Sequence, residues 1–418
     1  MTSDSASSAS GSVTLPEGWR MVTFGEVARQ VKTKVNPADT DLDRYVRLEH
    51  LDPESLQIRR WGVPEDVTGE KIVVRKGDII FGKRRAYQRK VAIADFDCIC
   101  SAHAMVLQPK EDVIIKGIFP FFLQSDRFMN RAVQISVGGL SPTINWKDLA
   151  RQEFPLPPID EQRRIAEILW AAEDVIVKNE GFVAEVEHYK QLMLRDLFSK
   201  GIGHEEFQKV EKVGLVPVEW EINTLNGISQ SIKNGIYKQD EFYGRGYPSA
   251  RMYNIQNGKI NLEGAPLLDV TEQELEDYGL KCGDILINRV NSVDLIGKAG
   301  IVPHGLGPIT YESKNIRIRL KINKVHPPFI GYFTQTDRYF IQIMMRTKSA
   351  IGQATINQND LERLIVPLPP LPEQRQIAAI LSSIDDAIAA ARASVEASKA
   401  LKMRLINQLL SPSAGDDA

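Results

Sequence analysis

Residues 82–90 read Gly-Lys-Arg-Arg-Ala-Tyr-Gln-Arg-Lys, placing five cations in the eight positions from Lys83 to Lys90. Lys83, Arg84, Arg85, Arg89 and Lys90 can neutralise phosphates or reach a guanine edge, and Gln88 can read adenine. Tyr87 lies among them. A solvated loop could use the same residues, but this charge density between two predicted strands favours contact with DNA. A second candidate is the loop Ser136-Val137-Gly138-Gly139-Leu140-Ser141-Pro142-Thr143. Its glycines would let backbone amides approach phosphates beside Ser141 and Thr143. Candidates in the second half are scattered: Tyr237, Lys238, Arg251, Tyr253, Asn254, Arg289, Asn291, Lys348, Gln353 and Thr355.

Catalytic sets are absent from the sequence. Cys98 and Cys100 lie near His103, but no second pair follows at zinc spacing, so alternation in a buried strand accounts for them. The six histidines form no cluster, and neither a Walker A loop nor a nucleophile elbow occurs. His326-Pro327-Pro328-Phe329 shares only its tail with the Asn/Asp-Pro-Pro-aromatic motif of DNA amino-methyltransferases, and no glycine-rich cofactor loop accompanies it. It reads as a strand-to-helix connection. The chain is expected to catalyse nothing and to bind no metal. A formal net charge of −2 excludes a diffuse polycationic coat, so nucleic-acid binding must rest on local patches. Three cysteines are too few for a disulfide framework and point to a reducing cytoplasm. No apolar run approaches the ~18 residues that span a bilayer. The Ser-rich stretch from Met1 to Val13 lacks the charge and apolar pattern of a signal peptide and reads as a disordered tail.

The elements that must position these residues are given by a duplication. Pro155-Leu156-Pro157-Pro158-Ile159-Asp160-Glu161-Gln162-Arg163 recurs 212 residues later as Pro367-Leu368-Pro369-Pro370-Leu371-Pro372-Glu373-Gln374-Arg375. Other matches keep their order: Trp19 with Trp220, Lys76-Gly77-Asp78 with Cys282-Gly283-Asp284, Gln124 with Gln335, and Thr143-Ile144-Asn145 with Thr355-Ile356-Asn357. This is one unit used twice. Short β-rich runs precede each proline block: 71–74, 78–81, 91–94 and 104–107 in the first copy, and 284–287, 300–302 and 315–320 in the second. The Gly-Asp pairs before two of them read as turns, not as catalytic aspartates.

The prolines forbid helix upstream, and position 160 or 372 is a suitable first helical residue. No proline interrupts the next forty residues or so in either copy. The apolar period is 3.5. One heptad position holds Ile165, Ala172, Asn179, Val186 and Met193; the other holds Leu169, Ile176, Val183, Lys190 and Leu197. The second copy repeats the frame with Ile377, Ile384, Ala391, Ser398 and Leu405, then Leu381, Ile388, Val395, Lys402 and Leu409. The pattern predicts a coiled-coil seam, antiparallel if two equivalent halves relate by a pseudo-twofold axis, with Lys190, Lys402 and Asn179 as polar interruptions that can set register. The alternative is that each helix packs only on its own globular unit.

With the proline blocks, the Thr-Ile-Asn loops, Trp19, Trp220 and Lys200-Gly201-Ile202 on the page, residues 15–410 resemble the specificity subunits of type I restriction–modification systems. The resemblance implies an α+β protein: two β-rich target-recognition domains linked by two long helices in an antiparallel coiled coil. It implies double-stranded DNA with a bipartite, asymmetric site, two methyltransferase subunits docked on the helices, and restriction subunits with translocase and nuclease activity. S-adenosylmethionine, Mg2+ and ATP would belong to those partners. The expected layout is a tail at 1–14, recognition domains at 15–155 and 216–366, long helices at 156–200 and 367–410, a linker at 201–215 and a tail at 411–418.

Overall fold

The computed structural model describes residues 15–350 and 352–411. The tail expected at 1–14, and that at 411–418 past Ser411, lie outside the described residues. The chain divides into two compact units, Met1–Gly181 with Arg392–Ala418, and Phe182–Ala391. The long helices, Ile159–Lys200 and Leu371–Leu409, each contribute their first part to one unit and their last part to the other. Both begin one residue before positions 160 and 372, and later than the 156 and 367 of the expected layout. No helix among the described residues is long and apolar enough to cross a membrane.

In the first unit, Ala28–Val31, Met105–Pro109, Ile79–Phe81 and Val91–Ile93 form one antiparallel four-stranded sheet. Lys34–Val35, Lys71–Val74, Cys98–Cys100 and Tyr45–Val46 form a second, whose last pairing is parallel. Helices Phe119–Gln124 and Asp126–Gln134 supply Phe119, Phe122 and Phe128, which pack around Phe24 with ring centroids 5.2–6.5 Å apart. The second unit has a six-stranded sheet ordered Ser229–Asn234, Asn315–Leu320, Ile285–Asn288, Ala299–Ile301, Lys259–Ile260, Ile255–Gln256. All seven expected strands are present within two residues. The 201–215 stretch carries more than a connection, because Phe207–Val210 pairs with Gly214–Pro217 as a hairpin. The Gly-Asp pairs are turns: Asp78 Oδ2 accepts from Arg75 N–H (2.9 Å), and Asp284 Oδ2 from Lys281 N–H (2.8 Å). Cys98 and Cys100 are buried in a strand, where desolvation raises the Cys98 thiol to about 12. Pro327–Phe333 is the short helix that follows His326.

The repeated proline block closes each domain on itself. Its strand Glu153–Leu156 pairs antiparallel with Arg20–Thr23, and Ile365–Leu368 pairs with Glu221–Thr224. The first helical turn then locks the chain that precedes it. Trp19 Nε1–H donates to Glu161 Oε2 (3.0 Å), and Trp220 Nε1–H donates to Glu373 Oε2 (3.3 Å). The neighbouring glutamines satisfy buried backbone groups, as buried polar atoms require. Gln162 accepts from Ile115 N–H (2.9 Å) and donates to Val113 O and Pro157 O; Gln374 accepts from His326 N–H (2.8 Å) and donates to Lys324 O and Pro369 O.

Glu373 also accepts from Ile202 N–H (3.0 Å) and meets His204 Nε2 (3.0 Å), whose Nδ1 contacts Glu219. Gly201 allows this turn, since its φ is +62° and a Cβ there would lie 2.6 Å from Glu373 Oε1. Burial works against the His204 imidazolium, but the Glu373 and Glu219 carboxylates outweigh it and raise the group above its ordinary 6.5.

The helix segments run antiparallel within each unit, and the seam lysines are partners, not gaps. In the first unit Lys402 Nζ lies 2.8 Å from Glu173 Oε2, with side chains 2% and 7% exposed, and donates to Glu54 O (3.0 Å). In the second, Lys190 Nζ lies 2.7 Å from Asp385 Oδ1 and donates to Gln335 Oε1 (2.9 Å). Tyr332 O–H donates to the same Asp385 (2.9 Å); burial and that carboxylate raise the phenol well above its usual value. The lysines, and the two acids, are 212 residues apart. Asn179 Nδ2 donates to Ser394 and Ser398 (3.3 Å each), a polar crossing of the same seam.

Ile165, Leu169, Ile176, Ile377, Leu381, Ile384, Ile388 and Val395 are buried as the frame requires, and Leu197 with them. Val183, Val186 and Leu405 are only half-buried. Near the helix ends the buried positions move on by one, to Leu194 and Phe198 and to Ile406 and Leu410. A straight helix drifts against a seven-residue repeat, and these turns pack into a globular core. Ile406 and Leu410 join the core of the first unit, and Leu194 and Phe198 that of the second. The helices pair, and the alternative that each packs only on its own globular unit fails, because the last turns of each belong to the core built by the other copy.

Removing one partner of a buried ion pair costs about 3–5 kcal/mol, while replacing both with apolar groups is often neutral. Lys402→Met is therefore expected to lower stability in chemical denaturation by about that amount, with Glu173→Leu added to it restoring most of the loss. His204 gives a pH signature. Its folded-state pKa is raised, so its contribution is complete below 6.5 and is lost as pH rises through the folded value. The melting difference between the wild type and His204→Gln should shrink as pH rises above 6.5; a constant difference would count against the clamp.

Candidate nucleic-acid interface

The basic stretch and the glycine-rich loop, about fifty residues apart, meet. Thr143 bridges to Arg84 and to Val137, and Ile144 N–H donates to Lys83 O (3.0 Å). Arg85 N–H donates to Pro142 O (2.8 Å), and the Arg85 guanidinium to Ser141 Oγ (3.1 Å from Nη2). A short 3-10 turn at Ala86–Gln88 is flanked by Arg85 and Arg89, both left-handed, with φ near +55°. Non-glycine residues rarely hold that conformation, and such strain concentrates at functional sites. The turn leaves Tyr87 55% exposed. Arg84 Nη1 lies 3.1 Å from His103 Nε2. Burial, then Arg84 and Lys83, lower the His103 pKa, which favours a neutral ring accepting from Arg84. Lys83 is half-buried, and desolvation lowers its ammonium pKa.

The second unit builds the same arrangement. Thr355 pairs with Val290 and with Lys348, giving the three strands Val290–Asn291, Gln353–Thr355 and Lys348–Ala350. Ile356 N–H donates to Arg289 O (3.0 Å), as Ile144 does to Lys83. Arg289, Asn291, Lys348, Gln353 and Thr355 are thus brought together. Lys348, Gln353 and Thr355 are exposed, Arg289 and Asn291 half-buried. Arg289 Nη1–H donates to Asn234 Oδ1 (3.4 Å), and Asn291 Oδ1 accepts from Ser292 N–H.

Four candidates have other work. Arg89 donates to Gln124 O (2.6 Å) and pairs with Asp126 (2.7 Å) and Glu54 (3.3 Å), which ties the basic turn to the domain. Lys90 Nζ donates to Leu48 O (2.6 Å), and burial lowers its pKa. Lys238 is spent on Glu274 (2.7 Å) and Asp269 O (2.9 Å). Asn254 is fully buried, donating to Asn261 O and Glu263 O and accepting from Arg251 N–H. These residues spend their polar groups on shaping loops. Arg251 stacks on Tyr243 (5.0 Å) and Tyr253 O–H donates to Gly264 O (3.0 Å), while Tyr237 is largely exposed. Gln88 is half-buried. Leu140, at the tip of the glycine-rich loop, is 97% exposed. It was not among the sequence candidates, because a leucine beside two glycines carries no polar signal.

The division of labour is measurable. Arg89→Ala should destabilise the first unit by roughly 1–3 kcal/mol, since it strips the carbonyl of buried Gln124 and two partly exposed carboxylates of their partner. Arg85→Ala should stay within about 0.5 kcal/mol of the wild type. Equal losses in thermal melts would contradict the assignment.

The type I restriction modification DNA specificity domain matches residues 16–188 and again 217–396. The MjaVIII specificity subunit of Methanocaldococcus jannaschii is 27% identical over 408 residues, covering 95% of this chain and 93% of that one. The putative MjaX specificity subunit of the same organism is 31% identical over 206 residues, which is 49% of this chain and 48% of the relative. The EcoKI specificity subunit of Escherichia coli is 24% identical, covering 87% and 81%. Among solved structures, a chain from a type I restriction–modification system superposes with a TM-score of 0.60 at 20% identity over 95% of this chain and 98% of that chain. The type I S subunit from M. genitalium gives 0.51 at 15% over 94% and 96%; both likenesses concern the fold. With the specificity domain matched twice across most of its length, the chain belongs to the type I restriction–modification DNA specificity family.

Proposed function

We propose that this chain is the DNA-reading subunit of a type I restriction–modification complex, each unit reading one half of a bipartite, asymmetric site. One observation carries the reading: the same loop pairing, Thr143 with Arg84 and Thr355 with Val290, is used in both units under different side chains. Lys83, Arg84, Arg85 and Ser141 surround the first platform, and Arg289, Asn291, Lys348 and Gln353 the second. Cations at phosphates set register, and amides, guanidinia and hydroxyls at base edges select sequence. Two copies of one scaffold under divergent surfaces suit two different half-sites.

The long helices dock two methyltransferase subunits, to which restriction subunits with ATP-driven translocase and nuclease activity are added. The complex works in the cytoplasm. S-adenosylmethionine, Mg2+ and ATP are bound by those partners, and this chain performs no chemical step. Relatives named as specificity subunits support this reading.

Exchanging residues 15–155 for another family member's domain should change one half of the methylated site and leave the other; a change in both halves, or in neither, contradicts the reading. Arg84→Ala with Arg85→Ala should weaken binding and flatten the log K against log salt slope by about 0.9 for each phosphate contact removed. An unchanged slope would move the contact to another loop.

A further inference from the structure

Resting on that DNA-reading assignment, we propose that Leu140 is an apolar wedge that enters a pyrimidine–purine step of the first half-site. A single exposed leucine is ordinary; its mounting is not. The hairpin is closed at its base by Val137 N–H donating to Thr143 O (3.0 Å) and Thr143 N–H to Val137 O (2.9 Å). Beyond that pair the tip is Gly138-Gly139-Leu140-Ser141-Pro142. Gly138 sits at φ +121°, a Cβ on Gly139 would meet nothing within 4 Å, and Leu140 itself is 97% exposed. On the other flank Arg85 holds both Ser141 and Pro142. Val137, 68% exposed, adds a second apolar group at the hairpin's base.

The result is an uncovered apolar tip attached to a cationic loop by backbone and guanidinium bonds. When Arg84 and Arg85 settle on phosphates, the tip is carried to the groove with them. A side chain with no hydrogen-bonding atom cannot read base edges by donors and acceptors, but it can part a weakly stacked step, as apolar wedges of other DNA-binding proteins do. TA and CA/TG steps, the flexible pyrimidine–purine steps, unstack most easily, so the wedge takes one of these and contributes specificity at a position that no polar residue touches.

The test uses the full chain on duplexes that it selects from random sequence, footprinted and probed with permanganate, which oxidises unstacked thymines; the TA and CA/TG steps, which part most easily, each carry a thymine on at least one strand. Wild type is expected to show one step in the first half-site with several-fold enhanced reactivity. Leu140→Ala should lose that enhancement, and Leu140→Phe should keep it. A wild-type footprint without enhanced thymines, or enhancement that survives in Leu140→Ala, overturns the wedge. So does a loss of binding in Leu140→Ala that Leu140→Phe does not restore, or a Leu140→Ala effect confined to thymine-to-uracil substitution, which would mark a methyl contact in the major groove. No wild-type footprint at all would instead sink the DNA-reading assignment.

Discussion

A lysine ammonium inside a helix seam must find an anion, and in this protein the requirement is met twice by the same device. Lys402 takes Glu173 and Lys190 takes Asp385, each lysine adding an oxygen from the globular domain beside it, Glu54 O in one case and Gln335 Oε1 in the other. The desolvation cost of such a pair is recovered only when both charges are in place, so any other register leaves a buried charge bare. An apolar seam alone would tolerate a slip of one heptad; this one does not. Because the third partner comes from the domain, each ion pair also fixes the helices against the domain that carries the candidate interface.

The first helical turns do the complementary task. Glu161 and Glu373 hold the tryptophans that precede each domain, and Gln162 and Gln374 satisfy three backbone groups apiece. The conserved-looking part of the repeat is therefore mechanical: it closes the domain and anchors the helix. Variation lies outside it: the sheets differ between the two units, and Ile144 and Ile356 make matching bonds beneath dissimilar side chains.

Much of this was legible beforehand. Proline blocks, heptads and the offset between copies act locally, and a single sequence displays them directly. The strands near 79, 105, 285 and 315 carried apolar runs and turns that admit few other readings. Less legible was anything decided by long-range pairing. Arg89 and Lys90 look like Arg84 and Arg85 in sequence, yet they are consumed by Gln124, Glu54, Asp126 and Leu48, from three other segments. Asn254, one of the scattered candidates of the second half, is a buried loop clip. The union of residues 83–85 with 137–143 depends on a β-bridge that neither segment announces. The lysines in the seam read as interruptions because their acids lie on the other helix.

The central claim is that two ion pairs together define the register of the helices. Glu173 and Lys190 are 17 residues apart in one helix, and Asp385 and Lys402 are 17 apart in the other. Seven residues inserted after Ile176 alone let only one pair form, whereas a matching insertion after Ile388 lets both form again. Thermal melting of the two variants tests this directly. The account predicts a clear drop for the single insertion and recovery toward wild type for the double. Wild-type melting with the single insertion, or no recovery with the double, would contradict it.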